Sequence, residues 1–417
     1  MNQAPAISNT APVHMGLTHL SDNAAFYLLA SIVVSFLAGS SAPTPLYALY
    51  QASWGFSPIL ITVIFGIYAI AVLVSLLFAG RLSDHLGRRP VVLFAIAGQI
   101  VTMILLATAG GLAQLIFARV LQGLSAGAAL AALGAGMIDF DKNRGATANA
   151  VAPAFGTATG GILAGFMVQY LPAPTHLVYV FLGIVFALQG IGVLLMRETI
   201  SLQPGALASL KPQFRLPQAV REPLLLAVPV LVAVWSLASF YGALGPTLVR
   251  GLMGSNSPLL GGLALFALAA SAGVAVLILQ QREARALMTF GAAALVVGVG
   301  LTVWTLPTHS LILFFLGTVI AGTGFGTGFQ GAVRTIVPFA APHERAGVVS
   351  IVFIVSYLAL GVPAVIAGMR LAQHGDIIGT AQEFGVVLIA LAIMAVFAAA
   401  IRTITSRPRR ARVHVNK

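Results

Sequence analysis

The chain contains no cysteine, only three lysines (Lys142, Lys211 and Lys417) and only ten acidic residues among 417. Each scarcity removes a class of chemistry. Without thiols there are no disulfides, thiolate metal sites or cysteine nucleophiles. No lysine follows a Gly-x-x-x-x-Gly string, so no Walker A loop is present to hold nucleotide phosphates, and ATP does not power the protein directly. Charged residues make up 8% of the chain, against about 25% in an ordinary soluble domain. Too few remain to coat a water-facing surface. The stretch from Met1 to Asp22 holds neither Lys, Arg nor an apolar core, so it reads as a short polar tail rather than a signal peptide.

What is abundant is apolar: 59% of residues are hydrophobic and the mean hydropathy is +0.99, which points to lipid as the solvent. Twelve stretches are long enough to cross a hydrocarbon core, which takes about 20 helical residues. They run over 24–50, 58–79, 90–109, 112–137, 146–170 and 176–196, then 223–249, 258–280, 287–306, 310–336, 346–370 and 383–402. Continuous apolarity favours helices, because barrel strands alternate in polarity over about ten residues. The longest polar break, Arg197 to Glu222, holds Pro204, Lys211, Pro212, Arg215 and Pro217 and divides the spans six and six. The expected organisation is a tail (1–22), a six-helix bundle (23–197), a central loop (198–222), a second bundle (223–402) and a basic tail (403–417).

The net charge of +12 says less than where Lys and Arg fall. With the N-terminus inside, all but four of the 22 lie in cytoplasmic breaks or tails; Arg250 and Arg370 fall outside, Arg119 and Arg334 within spans. Positive loops are retained in the cytoplasm, so both termini are expected there. The same scatter over short loops argues against nucleic acid as a partner. The densest cluster, Arg407, Arg409, Arg410 and Arg412, suits anionic headgroups.

Sliding the halves by about 200 residues exposes a repeat. Ser57-Pro58 meets Ser257-Pro258, Asn143-Arg144-Gly145 falls beside Glu344-Arg345-Ala346, and Gly160 meets Gly361. The expected fold is therefore all-α: twelve transmembrane helices in two pseudo-symmetric bundles with a site between them near the midplane.

Three strings stand out. Gly80 to Pro90 reads G-R-L-S-D-H-L-G-R-R-P in the break between spans 2 and 3. Gly80 and Gly87 permit a tight turn, and Asp84 is an acceptor beside Arg88 and Arg89, a cluster able to latch one arrangement of the bundles. Leu115 to Gly123 reads L-I-F-A-R-V-L-Q-G in span 4. It puts Arg119 about 10 Å inside its helix end at 1.5 Å per residue, where an arginine is costly unless paired or wet. Gln122 shares its face; bracing of helix carbonyls is the alternative reading of this arginine. Span 5 carries Gly156, Gly160 and Gly161 among small residues that allow close packing. The glycine run from Gly322 to Gly328 in span 10 reads as a packing surface, not a phosphate loop.

The first string resembles the signature loop of the major facilitator superfamily, G-x-L-x-D-x-x-G-R-R/K. The second resembles that superfamily's L-x-x-x-R-x-x-Q-G pattern, seen among proton-coupled drug antiporters. Span 5 is similar to the antiporter pattern G-x-x-x-G-P-x-x-G-G, with Ala152 in place of its first Gly and Thr157 in place of its Pro. The resemblance implies a bacterial inner-membrane carrier of the drug and metabolite efflux branch, with a cavity lined by spans 1, 4, 7 and 10. By position that selects Tyr47, Arg119, Gln122, Trp235, Ser236, Ser239, Tyr241 and Gln330. One fixed positive charge favours neutral or anionic ligands. None of the ten acids lies deep in a span, a departure from proton-coupled relatives.

The expectation is a monomeric secondary transporter with a small organic substrate, protons as the candidate coupling ion and lipid around it. No cofactor and no metal are expected. No nucleophile–base pair or ligand cluster appears in the spans, so it does not read as an enzyme. An uptake carrier or uniporter for a small organic acid, and a non-transporting receptor or scaffold, remain as alternatives.

Overall fold

A computed structural model describes residues 19–212, 216–253, 257–341 and 344–405. Both tails beyond these limits, with the arginine cluster at Arg407 to Arg412, and Arg215 of the central break lie outside the described residues. Twelve helices among them are long and apolar enough to cross a membrane. Spans 1–6 are Asp22–Trp54, Pro58–Ala79, Arg88–Ala107, Leu112–Phe140, Lys142–Tyr170 and Leu177–Leu194. Spans 7–12 are Gln218–Ala243, Pro258–Leu279, Ala284–Thr308, Leu311–Phe339, Gly347–His374 and Ile377–Phe397. An even number of crossings leaves both ends of the described chain on one side, called here the terminal face, opposite the far face.

Helix ends are set by local chemistry more than by hydropathy. Spans 4 and 5 are separated by Asp141 alone, whose carboxylate accepts from the Asn143 and Arg144 amides at 3.0 and 2.9 Å. This N-cap satisfies donors that have no partner within a helix, so both helices run further into the polar break than their apolar cores. Span 3 likewise starts at Arg88, because Glu198 accepts from the amides of Arg88 and Arg89 at 2.9 and 3.0 Å. Span 1 is interrupted. Its first helix ends at Ser41, a single 3-10 turn covers Thr44–Leu46, and helix resumes over Tyr47–Trp54. Pro43 and Pro45, which cannot donate to the preceding turn, cause the break.

The packing repeats with a shift of six. Spans 2·4, 3·4, 1·5, 3·6 and 1·6 pack in the first half, and 8·10, 9·10, 7·11, 9·12 and 7·12 in the second. Two buried apolar cores result, one per half. The halves meet along spans 5·8 and 2·11, themselves equivalent pairs. Only small residues allow the first of these seams: a Cβ on Gly161 would stand 3.1 Å from the Gly262 carbonyl oxygen, and one on Gly165 2.9 Å from that of Pro258. In the second seam, Gly368 meets Thr62 and Gly66 meets Val365 and Gly361 towards the far face. There Gly242 of span 7 also lies against Phe65 of span 2.

Candidate functional site

The break in span 1 creates the site. Pro43 has no N–H for the Gly39 carbonyl, and the turn that follows leaves the Ser40 carbonyl facing span 4. Gln122 Nε2 donates to the first at 2.9 Å and Arg119 Nη1 to the second at 3.0 Å. Side chains of a neighbouring helix thus replace lost backbone donors, as a hydrocarbon environment demands. Arg119 Nη1 also donates to Gln122 Oε1. The guanidinium lies over the Tyr68 ring, Cζ 4.2 Å from its centroid, a cation–π contact strengthened by desolvation.

Arg119 is fully buried, but only one of its three nitrogens has partners. Nε and Nη2 are buried without a hydrogen bond among the described residues, and so is the Tyr47 hydroxyl. Tyr47 lies within electrostatic reach of the guanidinium. Four groups of the second half are in the same condition: Trp235 Nε1, Ser239 Oγ, Gln330 Oε1 and Ser356 Oγ. Buried polar atoms are ordinarily paired, and an unpaired one costs about 1–3 kcal/mol. Orphans contributed by both halves indicate groups arranged for something other than each other.

An aromatic wall connects the halves. Trp235 packs at 5.2 Å from Tyr357, 5.4 Å from Phe329 and 6.2 Å from Phe325. Tyr357 and Tyr68 lie within electrostatic reach of each other, and Tyr357 belongs to the apolar core of the first half although span 11 is in the second.

The structure therefore brings Tyr47, Arg119 and Gln122 together, and leaves Trp235 and Ser239 each with an unpaired polar atom. Two other cavity expectations are placed elsewhere. Ser236 donates to the Ala359 carbonyl at 3.2 Å and braces spans 7 and 11. Tyr241 bonds Thr318 at 2.7 Å and packs beside Phe314 with tilted rings, inside the second half. Gln330 is half-buried a little to the terminal side of the middle of span 10. Tyr68, Ser356 and Tyr357 escaped the sequence reading, which considered only spans 1, 4, 7 and 10; the prolines of span 1 were the available signal that a neighbour must supply donors.

The loop between spans 2 and 3 forms a second cluster. Gly87 has φ +98°, a conformation that L side chains rarely adopt, and a Cβ there would approach Glu198 Oε2 to 2.6 Å. The turn aims Arg88 inward: Nε donates to Asp139 at 3.1 Å and Nη1 to Ser83 at 2.8 Å, with Asp84 as the third partner. Arg89 donates to the Leu194 carbonyl, and Gly80 closes span 2 with its amide on Leu76 O at 3.2 Å. Every partner of Arg88 among the described residues belongs to the first half or to Glu198 just after it. In span 5 the glycines divide their work: Gly156 and Gly160 lie against Val34 and Ala38 of span 1, whereas Gly161 faces span 8.

A model described as Major Facilitator Superfamily matches residues 28–365. Among solved structures, the chain is similar to the human organic anion transporter MFSD10 (TETRAN), with a TM-score of 0.65 and 15% identity over 91% of this chain and 100% of that one. It is also similar to the nucleoside transporter NupG, with a TM-score of 0.66 and 10% identity over 93% and 100% of the two chains. At these identities the likeness is one of fold. No curated protein matches the chain in sequence.

Proposed function

The chain belongs to the major facilitator superfamily and is an integral membrane transporter, and from that premise we propose that it moves a small organic molecule, neutral or anionic, by alternating access in proton-coupled efflux across a bacterial inner membrane. The observation that carries this reading is the Arg119 guanidinium, buried with Nε and Nη2 unpaired at the break of span 1. A buried cation is expensive to hold. Only one of its nitrogens is used by the brace to span 1, so an anionic or hydrogen-bonding ligand is what the others await. In this reading both tails face the cytoplasm, as the distribution of Lys and Arg supports, and the protein works as a monomer.

Rocking of the halves about spans 5·8 and 2·11 gives alternating access, because those seams are smooth and small-residued while each half keeps its own apolar core. The Asp84–Arg88–Asp139 cluster would hold the terminal face in one of the two arrangements. A second reading, an uptake carrier or uniporter, is favoured by one specific feature: no Asp or Glu occupies the middle of a span.

The test is a ligand-stabilisation screen of the purified protein across organic acids, sugars, amino acids and drugs, followed by flux into liposomes with and without a pH gradient. Accumulation driven by the gradient supports coupling. Equal fluxes with and without it leave the uniporter, and no flux of any stabilising ligand removes transport from the reading.

A further inference from the structure

Arg119 presents its donors unequally, and the inequality has a geometry. Both N–H groups of Nη1 are occupied, one by the Ser40 carbonyl at 3.0 Å and the other by Gln122. One face of the guanidinium plane is covered by the Tyr68 ring at 4.2 Å. What remains is the edge formed by Nε and Nη2, whose N–H bonds run parallel. Both atoms are buried and without partners. A parallel pair of N–H donors on a planar cation matches the two coplanar oxygens of a carboxylate.

We propose that this edge is a carboxylate fork and that the transported class is an aromatic monocarboxylate. The inference rests on the transport reading for the route by which the ligand arrives. A carboxylate neutralises the single charge at the site and fits the fork in its plane. A phosphate dianion would bring excess charge into an apolar enclosure, and a tetrahedral group meets the flat fork with only part of its oxygens. The aromatic body follows from the wall beyond the fork: Tyr68 leads to Tyr357, which packs 5.2 Å from Trp235, and Phe329 stands 5.4 Å behind it. The Tyr47 hydroxyl near the guanidinium and Trp235 Nε1 of the second half, both buried and unpaired, hydrogen-bond the two ends of such a ligand.

Position is maintained from behind. The brace to span 1 immobilises Nη1, so the free edge is pre-oriented and loses little freedom on binding.

The experiment compares acids with their uncharged amides and with one anion that is not a carboxylate, on the purified full chain. Benzoate and 3-phenylpropionate are titrated against benzamide, 3-phenylpropionamide and benzenesulfonate, by calorimetry and by shift of the melting temperature. The expected result is that each carboxylate binds at least tenfold tighter than its amide and several-fold tighter than the sulfonate. In Arg119→Lys, which keeps the charge but not the fork, that preference falls below threefold. Amides binding as well as acids, no binding of either acid, or an undiminished preference in Arg119→Lys would overturn the proposal. If Arg119→Lys does not fold, the acid-to-amide ratio of the wild type decides alone. Flux measurements separate this inference from the one beneath it. Preferential acid binding without flux leaves the fork standing and sinks transport, whereas flux of neutral compounds without acid preference does the reverse.

Discussion

A single proline decides what Arg119 and Gln122 must do. Because Pro43 cannot serve the Gly39 carbonyl and the turn it starts frees that of Ser40, Gln122 and Arg119 of span 4 supply the missing donors, and their removal is expected to be felt in stability as well as in transport. Gln122→Leu is expected to leave the Gly39 carbonyl and one Nη1 proton unpaired and to destabilise the protein by about 1–3 kcal/mol, read as a lower melting temperature. Arg119→Ala is expected to reduce flux at least tenfold while protein still reaches the membrane. Wild-type flux in that variant would remove Arg119 from the site. At this scale the sequence disclosed the arginine and glutamine through their cost in an apolar span. It did not disclose Tyr68, because an aromatic residue in a lipid-spanning helix is unremarkable until the guanidinium is seen above it.

Elements are held by the shape of their faces. Span 5 shows glycine to span 1 on one side and to span 8 on the other, so one helix serves both the interior of its half and the seam between halves. Gly156→Val would force a side chain into Val34 and Leu37, within 2.7 Å. It should lower the melting temperature in every conformation. Gly161→Leu instead pushes on Gly262 and Leu265 across the seam; the expected outcome is a small change in melting temperature and a large loss of flux, because the halves can no longer slide in register. Equal effects of the two substitutions on both measurements would contradict this division. Helix boundaries were the least legible features: spans 1, 3, 5, 7, 9 and 12 begin earlier than hydropathy indicated. For spans 3 and 5, capping by Glu198 and Asp141 lets helix continue through residues that hydropathy alone assigns to loops.

On the scale of the molecule, the two halves close against each other towards the far face, through Thr62 with Gly368 and Phe65 with Gly242. Meanwhile the Asp84–Arg88–Asp139 cluster, among the described residues, engages only its own half and Glu198 and Thr199 just after it. A latch between halves on the terminal face would thus be disengaged in the arrangement described. Asp84→Asn is accordingly expected to enrich this arrangement at the expense of one closed on the terminal face. The absence of native cysteine makes the measurement direct: single cysteines introduced on each face are labelled with a membrane-impermeant thiol reagent, and unchanged labelling on both faces would remove the latch.

Hydropathy, the six-plus-six division and the repeated strings were enough to specify twelve helices in two equivalent halves, because burial in hydrocarbon imposes long apolar runs that are read directly from the chain; the superfamily came only through the resemblance of Gly80 to Pro90 and Leu115 to Gly123 to its motifs. Which polar atoms meet was a different matter. The sequence placed Arg119, Ser236 and Tyr241 alike in one cavity by helix number; packing then gave Ser236 to a carbonyl of span 11 and Tyr241 to Thr318, and left Nε and Nη2 of Arg119 without partners. Hydrogen bonding depends on the rotation of each helix about its axis and on contacts between residues far apart in the chain. That information exists only once the helices are assembled.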